Sequence, residues 1–259
     1  GVIVEIAPGF RAKIGMAVAK LDFKGKYHLV EYSQKALEYS LYKYHKILPQ
    51  AKIYGHQKSL KQIRASDISG HVDVLLANHV FDDMFLNNAT EIPHKKIENF
   101  FSLKSGIERI SETKKLWAAI NQKNFKKYID ETVSEILSFI DRFNPRLTIL
   151  SHYGGKTLKK YHISKPDKVA KCIVQKLQKN LHTKLQEPYK NLLQRRGYDL
   201  EWIIYDTRRS ENIYAEIRKT PKAIKRLCPT IFCKEQAIKL KKNVYDVVYT
   251  YNDLLQGLG

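Results

Sequence analysis

Four short apolar runs recur in the first eighty residues, each separated from the next by a helical or irregular stretch, and this alternation commits the chain to an α/β architecture. The runs are Val2-Ile3-Val4-Glu5-Ile6, Tyr27-His28-Leu29-Val30-Glu31, Ala51-Lys52-Ile53-Tyr54 and Asp73-Val74-Leu75-Leu76-Ala77-Asn78. The continuous apolar character of the first run is that of a strand buried on both faces, and the fourth reads as buried and parallel. Pro8-Gly9 breaks the first run, and a helical pattern follows from about Arg11 to Leu21. Ser33 stands where a helix cap belongs, ahead of a helix through Leu37, Leu41 and Tyr44 that Pro49 ends. Right-handed βαβ units and a parallel sheet follow from this order.

Farther along, a helical stretch runs from about Lys95 to Phe143, with a break near Asn121 to Asn124. Arg146-Leu147-Thr148-Ile149-Leu150-Ser151 reads as a fifth strand. An amphipathic helix spans Pro166 to about Gln186, with Val169, Ile173, Leu177, Leu181 and Leu185 on one face. Pro188 restarts a shorter helix that Gly197 terminates. Leu200 to Tyr205 and Ile213 to Ile217 are two more strands, joined by a polar link short enough for an antiparallel pair. The expected organisation is a single domain over residues 1–259, with a helical insert at about 92–122, a basic helical insert at about 156–187 and a helical tail at about 221–259. A central strand that begins at residue 2 predicts further chain upstream.

Composition narrows the setting. No apolar run approaches the roughly 20 residues that span a bilayer. Cys172, Cys228 and Cys233 are too few for a disulfide framework and lack the second pair a zinc site needs, so a reducing cytoplasm and no metal centre are expected. The 46 Lys and Arg outnumber the 26 Asp and Glu, leaving a net charge of +20. Residues 151–200 hold 12 of those bases against 3 acids. A field of that sign favours nucleic acid, an anionic surface or an acidic protein as partner.

The turn Glu5-Ile6-Ala7-Pro8-Gly9-Phe10-Arg11 resembles the first motif of the class I S-adenosylmethionine-dependent methyltransferases, an acidic residue followed by G-x-G-x-G. A tight turn there lets backbone amides approach a cofactor closely. Ala7 and Arg11 replace the first and third glycines, Ala being the milder change. Glu31 follows Gly9 by 22 residues at the end of the second strand, where the resemblance implies a carboxylate accepting from both ribose hydroxyls. No G-x-G-x-x-G fingerprint is present, which makes a nicotinamide enzyme the lesser reading. The resemblance implies a doubly wound, Rossmann-like seven-stranded sheet of order 3-2-1-4-5-7-6. It implies S-adenosylmethionine as cofactor, held by Glu5, Ala7, Pro8, Gly9, Phe10, Glu31, Tyr32, Gln57 and Asn78.

Asn78-His79-Val80-Phe81-Asp82-Asp83 also loosely resembles the N-E-x-x-D-A segment of the mitochondrial complex I assembly methyltransferases, with His79 and Asp83 in place of Glu and Ala. It is not the N-P-P-Y signature of adenine amino methylation. His152 and Tyr153 stand at the end of the fifth strand, on the same sheet edge. Displacement at a sulfonium needs alignment and at most one base, for which His79, Asp82 and His152 are the candidates. Lys168, Lys171, Lys176 and Lys179 of the basic insert are the candidates for holding phosphates. RNA or another polyanion is the expected methyl acceptor. A protein or small-metabolite acceptor, or a binding protein that keeps the fold without catalysis, stands as the alternative.

Overall fold

The computed structural model describes residues 1–103, 107–153, 163–181 and 200–206. Strand β1 (Val2–Ile6) leads to helix α1 (Lys13–Ala19), β2 (Lys26–Glu31), α2 (Gln34–Ile47) and β3 (Lys52–Gln57). Strand β4 (Val74–Asn78) leads to α3 (Phe81–Asn88), α4 (His94–Phe101), α5 (Ile107–Ala119), α6 (Phe125–Phe143) and β5 (Leu147–Tyr153). Helix α7 (Lys165–Asn180) and strand β6 (Leu200–Asp206) follow.

The sheet order is β3-β2-β1-β4-β5-β6, with the first five strands parallel and β6 antiparallel to β5. Strand β1 is central, as expected. The chain therefore winds outward to β3, returns, and winds the other way from β4, which leaves a switch point between β1 and β4. In open α/β sheets, ligands settle outside the carboxyl ends of the strands at such a point.

One expectation is corrected at the far edge. The order 3-2-1-4-5-7-6 puts another strand between Leu200–Tyr205 and β5, whereas Leu200–Asp206 lies directly on β5, paired from Tyr153↔Leu200 to Leu147↔Asp206. Both strands are seven residues long and pair over their whole length, so nothing fits between them. The expected strand Ile213–Ile217, the helix after Pro188, the tail, Cys228, Cys233 and much of the basic insert lie outside the described residues.

Both faces of the central strands β1, β2 and β4 are covered, which is why their sequences show no alternation, whereas the edge strand β3 is largely exposed. Val2, Val4 and Ile6 join Leu75, Ala77 and Leu150 against helices α3 to α7, around Phe85, Trp117, Tyr128, Ile136, Ile173 and Leu177. Ile3 joins Tyr27, Leu29, Leu76 and Ile149 against α1 and α2. Ser33 does cap α2, accepting from the Ala36 N–H at 3.3 Å. The helical stretch expected over 95–143 is three helices, α4, α5 and α6. Its break at Asn121 to Asn124 is a single 3-10 turn, and a further interruption follows Phe101. Helix α3, over residues read from sequence only as a polar strand end, places Asp82 and Asp83 in its first turn.

Candidate functional site

Two walls rise at the carboxyl edge of the sheet on either side of the switch point. The first is the turn after β1. The ladder extends one residue past the strand, with the Ala7 N–H donating to Val30 O at 2.8 Å. Ala7 then takes a left-handed conformation (φ 48°), as do Gly9 (φ 59°) and Ala12 (φ 47°). Arg11 keeps an ordinary backbone conformation and an exposed side chain. The motif's departures thus weigh differently than the sequence implies. Arginine at the third position costs no backbone strain, while Ala7 and Ala12 carry the left-handed geometry that disfavours a Cβ by about 1–2 kcal/mol each.

Glu31 closes this wall. Its carboxylate is buried and accepts from the Gly9 N–H at 3.3 Å and the Ser33 N–H at 3.1 Å, one on each oxygen. Burial raises its pKa, and the backbone donors oppose that rise. The Ser40 hydroxyl donates to Gly9 O at 2.6 Å and fixes the turn from below. Phe10 packs on Tyr39, with ring centroids 5.4 Å apart. Tyr32, half-buried, meets His94 Nδ1 of α4 through its hydroxyl at 3.0 Å and Phe101 edge-on. Helix α4 therefore stands over the end of β2.

The second wall is built by β4, β5 and the first turn of α3. Asn78 Oδ1 accepts from the Ser151 hydroxyl at 3.0 Å. His79 ends β4 in a left-handed conformation (φ 61°), with its N–H on Ser151 O at 2.6 Å. That geometry turns its ring onto His152, with centroids 4.5 Å apart and planes 27° from parallel. Asp82 Oδ1 lies 4.0 Å from His152 Nδ1, and the Phe81 ring flanks the pair, 5.8 Å from His152. Burial, opposed in part by Asp82, pushes His79 down to about 3, so its imidazole is neutral at pH 7. Burial acts against the charge on Asp82, but His79, His152 and Arg109 outweigh it and hold the carboxyl below its usual range.

Two basic side chains at this edge carry no sequence signal. Arg109 of α5 donates to Phe100 O and Leu103 O, lies 4.4 Å from the Phe100 ring and reaches Asp83 at 3.6 Å. Its charge acts on Glu31, His79, Asp82 and Asp83 together, so it belongs to both walls. Even so, burial and the neighbouring Asp82 push Asp83 up to about 8. Lys13 is buried at the start of α1, and burial lowers its pKa to about 8. A lone Arg in a long helical stretch shows no motif, because only the tertiary fold carries it here.

Other residues expected at the site are elsewhere. Glu5 points to the opposite face of the sheet, where its Oε2 accepts from both Tyr27 and Tyr44 hydroxyls at 2.5 Å. Gln57 pairs with Glu31 in register, but its exposed side chain lines a separate hollow of about 880 Å³ with Arg64, Asp67 and Arg142. Pro8 is half-buried in the turn. On α7, Lys168, Lys171 and Lys179 are exposed, whereas Lys176 is ion-paired with Asp130 of α6.

No protein-family model matches the chain, and no curated protein matches it. Among solved structures it is similar to the DszA carbon methyltransferase at 13% identity, covering 63% of this chain and 31% of that one with a TM-score of 0.33. It is similar to the small RNA methyltransferase HEN1 at 14% identity, covering 70% and 20% of the two chains with a TM-score of 0.38. For StiE O-MT the identity is 16%, the coverage 84% and 72%, and the TM-score 0.33. The chain spans about a third and a fifth of the first two.

Proposed function

We propose that this chain is an S-adenosylmethionine-dependent methyltransferase, with RNA or another polyanion as its acceptor. The observation that carries the reading is the left-handed turn at Ala7 to Gly9 closing on the buried carboxylate of Glu31 at the switch point. The residues present fit the cofactor. A carboxylate offers about four lone-pair sites; Glu31 accepts from Gly9 and Ser33, one on each oxygen, and the Tyr32 N–H also acts on it, which leaves acceptor capacity for a ribose hydroxyl. A Cβ added at Gly9 would meet nothing nearer than Ala7 O at 3.9 Å, so the space over the turn is open. Tyr32, Phe10 and Asn78 stand at the same edge and are the further contacts of this reading, without Glu5 and Gln57.

Bound there, the cofactor would supply a methyl group on a sulfonium. The chain's own part is orientation, exclusion of water and removal of one proton. Proximity and alignment supply most of the rate in such a displacement. Among the base candidates, His79 is a poor proton acceptor at neutral pH because burial holds it near 3. His152, with Asp82 4.0 Å from its Nδ1, fits that role better.

The lean towards a polyanion rests on the net charge of +20 and the exposed Lys168, Lys171 and Lys179 of α7. The test is filter binding of a single-stranded RNA across a salt series. Replacing those three lysines with glutamine is expected to flatten the salt slope by about 2, at roughly 0.7 per phosphate contact. An unchanged slope removes the polyanion from the reading and leaves the transferase.

A further inference from the structure

We propose that His79, Asp82 and His152 form a binding site for a divalent transition-metal ion. One donor atom from each lies within 4.8 Å of the others. A tetrahedral ion bound at about 2.1 Å holds its donors roughly 3.4 Å apart, so the donors need to close by at most about 1.4 Å, which side-chain rotation supplies. Two imidazoles and one carboxylate, with coordination positions left open, are the donor set of zinc and of iron, manganese or cobalt in their divalent states. Magnesium and calcium prefer all-oxygen ligands.

Three independent features point the same way. Asp82 is 7% exposed, yet its buried Oδ1 accepts no hydrogen bond among the described residues. A carboxylate oxygen left so costs free energy that a cation would recover. Second, the φ of 61° at His79 is held by its N–H on Ser151 O, one residue before His152, so the strained backbone of one ligand is anchored to the strand of the other. Strain of this kind persists where surrounding structure over-determines it, and it clusters at functional sites. Third, Asp83 stands next in the chain, 3.6 Å from Arg109, and places a further carboxyl oxygen beside the site. The site goes beyond the methyltransferase reading and does not depend on it. A coordinated His152 lone pair no longer accepts a proton, so an ion here would take over the lowering of the acceptor's pKa.

The test is a titration of the metal-stripped full chain with Co²⁺, read by visible absorption, followed by competition with Zn²⁺. One equivalent of Co²⁺ is expected to develop ligand-field bands that Zn²⁺ abolishes and an equal concentration of Mg²⁺ leaves intact. Asp82→Asn and His152→Gln should each weaken Zn²⁺ binding by more than about 100-fold, above the 10–100-fold that loss of an outer partner costs. Far-UV circular dichroism checks that each variant is folded, and where one is not, the other and the parent stoichiometry decide. Glu31→Gln should keep the cobalt bands while weakening cofactor binding at least about tenfold, which separates this proposal from the previous one. No saturable cobalt signal in the folded parent, displacement by Mg²⁺, or parent-like affinity in the folded variants would overturn it.

Discussion

The two walls of the crevice are made in opposite ways. The wall at β1 and β2 is a backbone device: Glu31 is held by the N–H groups of Gly9 and Ser33, all within one local stretch of chain. The wall at β4 and β5 is a side-chain device, in which His79 and Asp82 meet His152 from about 70 residues away, with a buried carboxylate oxygen that has no hydrogen bond among the described residues. A backbone device tolerates changes of side chain, which explains how the turn survives Ala7 and Arg11. A side-chain device tolerates none of its members being lost. Variants of the first wall should therefore act on cofactor affinity or stability in graded steps, and variants of the second should act as a unit.

The largest effect is expected away from both walls, at Glu5, whose burial raises its pKa from 4.5 to about 7. The native state then holds the proton more tightly than the unfolded chain does. Its contribution to stability is complete below about pH 4.5 and is lost as pH rises through 7, a total of roughly 3 kcal/mol. Urea midpoints should show the parent losing stability over this range relative to Glu5→Gln. Parallel profiles would mean that the two tyrosine hydroxyls stabilise the ionised form instead.

Next comes Glu31. Replacement by Gln removes a charged acceptor from the ribose site, worth about 1.5–3 kcal/mol, or some 10- to 150-fold in cofactor affinity by calorimetry. Smaller is Ala7→Gly. Relief of the left-handed strain, offset by the entropy of glycine, should stabilise the fold by about 1 kcal/mol or less, and Ala7→Val should destabilise it. A thermal shift of the opposite sign would place the strain elsewhere in the turn. Least of all is Lys176→Gln, which removes an exposed ion pair with Asp130 and should change stability by no more than about 1 kcal/mol and leave the RNA salt slope unchanged.

Why one wall was legible in the sequence and the other only partly follows from the same contrast. The β1 turn, Glu31 and the Ser33 cap are local, and local spacing encodes them. The central parallel strands were legible because burial on both faces suppresses alternation, and β3, largely exposed, was legible from its place between Pro49 and the next turn. His79, Asp82 and His152 were legible as polar residues at strand ends, but their convergence was not, since pairing of β4 with β5 sets it. Arg109 was invisible because its partners belong to three other elements. Glu5 misled because an acidic residue before a glycine turn reads as part of the site, whereas strand pleating sends it to the opposite face, onto Tyr27 and Tyr44. The edge order misled because length matching of β6 to β5, a tertiary property, overrode the order that the resemblance implied.

The central claim is that the turn at Ala7 to Gly9 and Glu31 hold S-adenosylmethionine. Calorimetric titration of the full chain with S-adenosylmethionine and its demethylated product tests it most directly, with Glu31→Gln alongside. Saturable one-to-one binding by the parent, weakened at least about tenfold in Glu31→Gln, is the expected result. Absence of binding at millimolar ligand in a folded sample, or equal binding by the variant, would contradict it.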